Sequence, residues 1–254
     1  MNIAIITGAS SGMGRETARR IDEIYTDKLS EIWLVARRES RLQELAASLK
    51  HKTRIFALDL TDEKAVSEFD LTLNLVNPNV KILVNASGFG VMGKFTDVYA
   101  KEHAGVVRLN CEALTKVTHM VLSYMRRGAR IIQFASSAAF MPQPGFAVYA
   151  ASKAYVLSFS RALNEELKDR GISVTAVCPG PVDTEFFDIA EKNGTNFHFK
   201  KRFMAKQEDV VNRALIDAYH RKDISVYSPA MILFFVITKI LPHKLIMFFL
   251  KFFK

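Results

Sequence analysis

The sequence predicts an α/β fold: one doubly wound parallel sheet of about seven strands, Rossmann-like in its alternation, with helices on both faces. Three observations carry this expectation. Short runs rich in β-branched and aromatic residues recur at 3–6, 32–36, 55–58, 82–84, 131–134 and 174–177. They are nearly continuous instead of alternating, as strands buried on both faces are. Longer amphipathic stretches, such as 41–49 and 155–167, lie between them, so strand and helix succeed one another as βαβ units. No repeat, low-complexity segment or linker divides the chain, and residues 1–254 are expected to form a single domain.

The composition agrees. A chain of 254 residues with 49% hydrophobic and 24% charged residues suits a globular protein and excludes disorder. Its net charge of +9 admits a nucleic acid, a membrane surface or an anionic ligand as partner. The basic residues are scattered, without the runs or aromatic interleaving of a nucleic-acid module, so no nucleic acid is expected. The excess charge points instead to a phosphate-bearing cofactor and a lipid-facing end. The two cysteines, Cys111 and Cys178, fall in a predicted helix and a predicted strand. They have no metal-ligand spacing, so no metal is expected. The chain opens directly on a strand without a basic, cleavable leader, and the expected location is cytoplasmic.

The first strand runs into Thr7-Gly8-Ala9-Ser10-Ser11-Gly12-Met13-Gly14, and an amphipathic helix follows. Glycine is needed where the chain turns tightly and its backbone approaches a pyrophosphate. The helix then offers free N–H groups and a positive dipole end to the phosphates. Gly8, Ser10, Ser11, Gly12, Met13 and Gly14 are therefore candidate cofactor contacts. The Gly-x-x-x-Gly-x-Gly spacing with Thr7 in front resembles the short-chain dehydrogenase/reductase family. The resemblance extends over nearly the whole chain.

The second strand ends Val35-Ala36-Arg37-Arg38. A site selective for NAD places a carboxylate here for the ribose 2′-OH, whereas an arginine suits a 2′-phosphate. Ala36 stands where the family would hold that carboxylate. Arg37 follows at the phosphate-contacting position, with Arg38 and Ser10 in support, so the expected cofactor is NADP(H). Resemblance also places Asp59 and Leu60 near the adenine, although Asp59 could equally cap the next helix, and Thr61 is a similar case. Asn85-Ala86-Ser87-Gly88 closes the fourth strand at the family's Asn-Ala-Gly position. Ser87 replaces the common alanine, and Asn85 could equally brace the sheet.

Tyr149 and Lys153 stand at i and i+4, on one face of a helix. A nearby ammonium stabilises phenolate, so the lysine is expected to lower the tyrosine pKa and make it a usable acid and base. Ser136 and Ser137 end the fifth strand, where open α/β sheets bind ligands. By the family's spacing Ser136 fits the substrate-orienting position, and Ser137 is second choice. The resemblance thus implies a Ser-Tyr-Lys set with catalytic Ser136, Tyr149 and Lys153, the last two also holding the cofactor. It further implies that Asn110 bends its helix and holds a water beside the lysine, a satisfied core amide being the alternative. After the sixth strand, Pro179, Gly180, Val182 and Thr184 resemble the segment that binds the nicotinamide carboxamide.

Two segments remain. Residues 186–204 contain Phe186, Phe187, Phe197, Phe199 and Phe203, and are expected to close an apolar substrate site, core packing being the alternative. Residues 229–254 form an apolar, basic extension broken by Pro242, too interrupted to span a bilayer. Packing against another subunit, covering the pocket and peripheral membrane contact are all open to it. The resemblance implies an NADP(H)-dependent oxidoreductase working as a homodimer or homotetramer on an apolar ketone or secondary alcohol. A hydroxysteroid or bile acid, a simple ketone and a 3-oxoacyl chain are the substrate classes in view. A non-catalytic NADP(H) sensor or scaffold is the alternative, as is an epimerase or dehydratase.

Overall fold

Alternate residues of the first strand, β1 (Asn2–Thr7), point to opposite faces of the sheet. Ile3 and Ile5 join one apolar cluster, Ala4 and Ile6 the other. The same split divides β2 (Glu31–Ala36), with Trp33 and Val35 on the first side and Ile32 and Leu34 on the second. Both faces are thus covered, which explains why these runs are continuous and not alternating. The computed structural model describes residues 1–25, 28–191 and 204–250.

The remaining strands are β3 (Lys52–Ala57), β4 (Asn79–Asn85), β5 (Met125–Phe134), β6 (Ser173–Val177) and β7 (Ile224–Ser225). They form a seven-stranded sheet in the order β3-β2-β1-β4-β5-β6-β7, and every pairing is parallel. β3 and β4 each start three residues ahead of their apolar runs, and two further differences stand out. β5 begins at Met125, because Arg126, Arg127 and Gly128 extend the strand without apolar side chains. β7 is two residues long and has no run of its own to betray it. Cys178 lies just past β6 instead of inside it, its N–H donating to the Ser225 carbonyl at 2.8 Å.

Helices α1 (Gly12–Ile24) and α2 (Glu39–Ser48) cover the Ala4–Ile6 face with Ala18, Ile21, Leu42 and Leu45. Helix α3 (Glu63–Val76) covers the other face with Phe69 and Leu73. Asp62 caps α3, accepting from the Lys64 and Ala65 N–H groups, so Asp59 is not the cap. Trp33 is fully buried between strand and helix, and its indole N–H donates to Glu31 at 2.9 Å. Burying such a ring contributes about 1.5–3 kcal/mol, and the bonded N–H removes the penalty for its polar atom.

Helix α4 (Ala100–Val107) continues through one wide π-turn (Arg108–Ala113) into α5 (Leu114–Leu122). Helix α6 (Ala147–Glu166) starts eight residues before the predicted stretch at 155, and so includes Tyr149 in its first turn. Then come α7 (Phe186–Ala190), α8 (Gln207–Tyr219), α9 (Pro229–Ile240) and α10 (His243–Leu250). Val210, Val211 and Ala214 of α8 pack beside α1, while Val117 and Val121 of α5 cover the opposite face. The chain therefore leaves β1 outward to β2 and β3, then returns to β4 on its other side. This reversal opens a crevice beyond the carboxyl ends of β1 and β4. Among the described residues, no helix is long and apolar enough to cross a membrane.

Candidate active site

The crevice holds a cleft of about 340 Å³ that runs from Arg37 and Arg38 past the glycine turn to Tyr149. At its first end, Gly8 and Gly12 adopt the left-handed φ values of +70° and +52° that glycine tolerates. A Cβ on Gly8 would stand 2.8 Å from the Ala86 backbone, and one on Gly14 would stand 2.4 Å from the Gly8 carbonyl. The turn is thus pressed against the end of β4. Thr7, almost fully buried, fastens it there: its hydroxyl accepts from the N–H groups of Ala86 and Ser87 at 3.2 and 3.3 Å.

Helix α1 begins at this turn with Ser11 as N-cap. The Ser11 side chain makes no capping bond, and no acidic residue stands in the first turn. The leading N–H groups therefore face the cleft without a competing carboxylate, which suits a pyrophosphate. A glycine cradle and an anion-free helix start are what a dinucleotide requires, so the residues present fit that group.

Beyond the turn, Arg38 directs Nε and Nη2 to the Ser10 hydroxyl, each at 3.3 Å, and Nη1 to Glu185 at 2.9 Å. Arg37 is largely exposed and stands 3.7 Å from Asp59. Burial pushes the Asp59 carboxyl up, but bonds from the Thr61 N–H and hydroxyl, with Arg37 nearby, leave it below the usual carboxylate value. Leu60, Ala86, Ser87, Pro179, Gly180, Val182 and Thr184 also line the cleft.

At the far end stand Ser136, Tyr149 and Lys153. Ser136 caps a short 3-10 turn (Ser137–Phe140), its hydroxyl accepting from the Ala138 N–H at 3.1 Å. Both serines line the cleft. Tyr149 and Lys153 lie one turn apart on α6 and are buried. The Lys153 ammonium donates to the Phe134 carbonyl at 2.7 Å and sits 5.7 Å from the Tyr149 ring centroid.

The electrostatics correct one sequence expectation. Burial pushes the Tyr149 phenol up to about 12, while its hydrogen bond with Ser136 pulls it down. Burial likewise pulls the Lys153 ammonium down to about 8. Without cofactor, then, burial dominates the phenol, and the Lys153 hydrogen bond goes to a backbone carbonyl instead of to Tyr149.

Two predicted residues stand behind the cleft instead of lining it. Asn85 turns away, its amide donating to the Thr118 hydroxyl at 3.0 Å. Asn110 lies in the π-turn and clasps the Phe89 backbone, accepting from its N–H at 3.1 Å and donating to its carbonyl at 2.9 Å. Its amide also donates to Ser152 at 3.0 Å. Asn110 Oδ1 and Lys153 Nζ both approach Gly88, within 2.9 and 3.3 Å of where a Cβ would stand.

Sequence reasoning missed part of the lining. Phe146, which no expectation named, stacks on Tyr149 with centroids 4.2 Å apart, whereas Phe186, which the sequence did point to, meets Tyr149 at 5.2 Å. Phe146 precedes Tyr149 by three residues, a helical interval that could have revealed it. Phe89, Met92 and Gln143 also line the cleft and carry no local signal. Phe187 lines it too, whereas Phe197, Phe199 and Phe203 lie outside the described residues.

Comparison with known proteins gives a consistent set of likenesses. Residues 2–194 match the family described as short chain dehydrogenase. Sulfoacetaldehyde reductase 2 of Chromohalobacter salexigens is 39% identical over 191 residues, covering 73% of this chain and 74% of the relative. A short-chain dehydrogenase from Sphingobium yanoikuyae, solved with NADPH, is 28% identical with a TM-score of 0.77, covering 89% of this chain and 87% of its own. A bulky-bulky ketone specific alcohol dehydrogenase from Comamonas testosteroni is 27% identical with a TM-score of 0.74, covering 91% and 88%.

Proposed function

The chain belongs to the short-chain dehydrogenases, oxidoreductases that use a nicotinamide cofactor, and from that premise we propose that it is an NADP(H)-dependent reductase of apolar ketones. The reverse reaction oxidises the corresponding secondary alcohols. The observation that carries this reading is the polarity of the cleft. Its cofactor end presents Arg37, Arg38 and Ser10, while Phe89, Met92, Phe146 and Phe186 surround the Tyr149 end.

In this reading Arg37 and Arg38 hold the 2′-phosphate, with no carboxylate at Ala36 to repel it. Gly8, Ser11, Gly12, Met13 and Gly14 receive the pyrophosphate. Asp59 and Leu60 flank the adenine. Ala86 and Ser87 border the ribose beside Tyr149 and Lys153, with Asn85 bracing β4 from behind. Pro179, Gly180, Val182 and Thr184 receive the carboxamide. The bound nicotinamide supplies the hydride. Ser136 orients the substrate oxygen, and Tyr149, protonated across the neutral range, delivers the proton to that oxygen. Lys153 holds ribose hydroxyls and places its charge near the phenol. Asn110 secures the Phe89 backbone beside that lysine.

The relatives bear on substrate and cofactor. The Comamonas neighbour is named for bulky ketones and the Sphingobium neighbour holds NADPH, both in keeping with an apolar pocket and an arginine pair. Sulfoacetaldehyde is small and anionic, and among the described residues no basic side chain other than Lys153 lines the Tyr149 end of the cleft. The apolar wall of Phe89, Met92, Phe146 and Phe186 favours larger substrates that are uncharged at the reacting end: hydroxysteroids and bile acids, bulky simple ketones, or 3-oxoacyl chains. Phe186 and Phe187 flank them at the Tyr149 end, and the working unit is a homodimer or homotetramer. The test is NADPH and NADH oxidation against a panel of apolar ketones and sulfoacetaldehyde. Turnover of one apolar class with NADPH supports the reading. Preference for sulfoacetaldehyde, or tight NADPH binding without any turnover, overturns it.

A further inference from the structure

Helix α9 is apolar apart from Thr238 and Lys239, although only part of it is covered. Phe234 and Phe235 pack against Phe140, and Thr238 is buried. Ile232, Leu233, Val236 and Ile240 recur at helical spacing on the uncovered side, and Leu233 and Ile240 are 61% and 73% exposed. Leu241 and Leu245 continue this surface across Pro242 into α10. The two helices are joined there, with the His243 ring against the Thr238 carbonyl at 3.2 Å. An apolar helix face open to water is unfavourable unless something covers it.

The charges around this face select the occupant. Lys239 and Lys244 are exposed, Lys251 and Lys254 follow in the sequence, and no acidic residue occurs from Ile224 to the last residue. A second copy packed by two-fold symmetry would bring the same lysines against themselves with no local carboxylate to pair them. An anionic lipid surface satisfies both features, since acyl chains accept the leucines and isoleucines while headgroups neutralise the lysines. Neither helix can cross a bilayer, so the contact lies in the interface.

We propose that α9 and α10 seat the protein peripherally on an anionic membrane. The seat adjoins the cleft. Met231, in the first turn of α9, presses on Gly180, its Sδ 2.7 Å from where a Cβ would stand. Resting on the apolar-substrate reading above, the seat also lets substrate enter from the lipid beside the carboxamide-binding turn.

The test uses the whole chain without substrate or cofactor, so its outcome is independent of the catalytic reading. Phosphatidylcholine vesicles with and without about one third phosphatidylglycerol are sedimented at low and high salt. The protein should follow the anionic vesicles at low salt and leave them as salt rises. A Leu233→Asp/Ile240→Asp variant should lower that partition at least about tenfold, with melting temperature and solution mass unchanged. Absence of binding to anionic vesicles, or equal binding by the variant, overturns the proposal. So does a variant whose solution mass falls, because the face is then an interface between copies.

Discussion

Lys153 faces the ring of Tyr149 with its ammonium 5.7 Å from the centroid, while its hydrogen bond runs to the Phe134 carbonyl. Both side chains are held in a nearly dry wall of the cleft, and desolvation acts on them in opposite directions. The proton stays on the phenol and leaves the amine more readily. The ligand-free site is therefore loaded for donation, and later ionisation of Tyr149 requires charge brought in by the cofactor.

This arrangement has a spectroscopic consequence. The difference in phenolate absorbance between wild type and Tyr149→Phe should remain absent to about pH 10 without cofactor, since burial holds Tyr149 near 12. It should appear at lower pH once NADP⁺ is bound, because a nearby positive charge favours phenolate. Ionisation near neutral pH in the empty protein would contradict the buried-phenol account. In turnover, Tyr149→Phe should lose about 10²–10⁴-fold in kcat and keep its cofactor affinity.

The lysine predicts a pH dependence of stability. Lys153 is lowered from 10.5 to about 8 on folding, so above pH 8 the unfolded chain binds more protons than the folded one. Folding stability then rises with pH between about 8 and 10.5. Wild type should gain on Lys153→Met over that interval in ligand-free thermal melts. A wild type that loses ground there would show that the ammonium is not desolvated.

Cofactor choice should follow the arginine pair. A charge-assisted bond is worth about 1.5–3 kcal/mol, so Arg37→Ala and Arg38→Ala should each weaken NADPH binding by about ten- to a hundredfold. NADH binding should hardly change, as it lacks the 2′-phosphate. Equal weakening of both cofactors, measured by fluorescence titration, would remove these residues from that role. Arg38→Ala should also release Glu185, its partner at 2.9 Å.

Gly90 governs the position of the reacting ring. A Cβ there would stand 2.7 Å from the rings of both Phe146 and Tyr149. Gly90→Ala should lower kcat at least about tenfold by displacing the phenol, since a 1 Å misplacement can cost far more. NADPH affinity should persist, and Phe146→Leu in the same chain should restore part of the rate. Lost cofactor binding in Gly90→Ala would instead indicate general collapse of the cleft.

The sheet was legible because both its faces are covered, so β1, β2 and β4 appear as unbroken apolar runs. β7 was not, since two residues such as Ile224 and Ser225 have no periodicity. The glycine turn and the Tyr149–Lys153 pair were legible because each depends on local spacing. Asn85 shows the limit: its sequence position adjoins the cleft, but only tertiary packing turns its amide toward Thr118. Phe89, Met92 and Gln143 reach the cleft through loops whose paths no local pattern specifies. The ionisation of Tyr149 in the ligand-free site was not legible for a related reason, because i,i+4 spacing reveals proximity but not desolvation.

The wide turn at Arg108–Ala113 amounts to one surplus residue in the hydrogen-bond ladder between α4 and α5. Its length matters more than most of its side chains. Removing a single residue, Cys111 for example, would let the ladder close as ordinary α-helix and remove the wide turn that presents Asn110. Asn110 would then swing off the Phe89 backbone. This stretch should therefore tolerate many replacements and almost no shortening, a reading-frame-like constraint imposed by geometry.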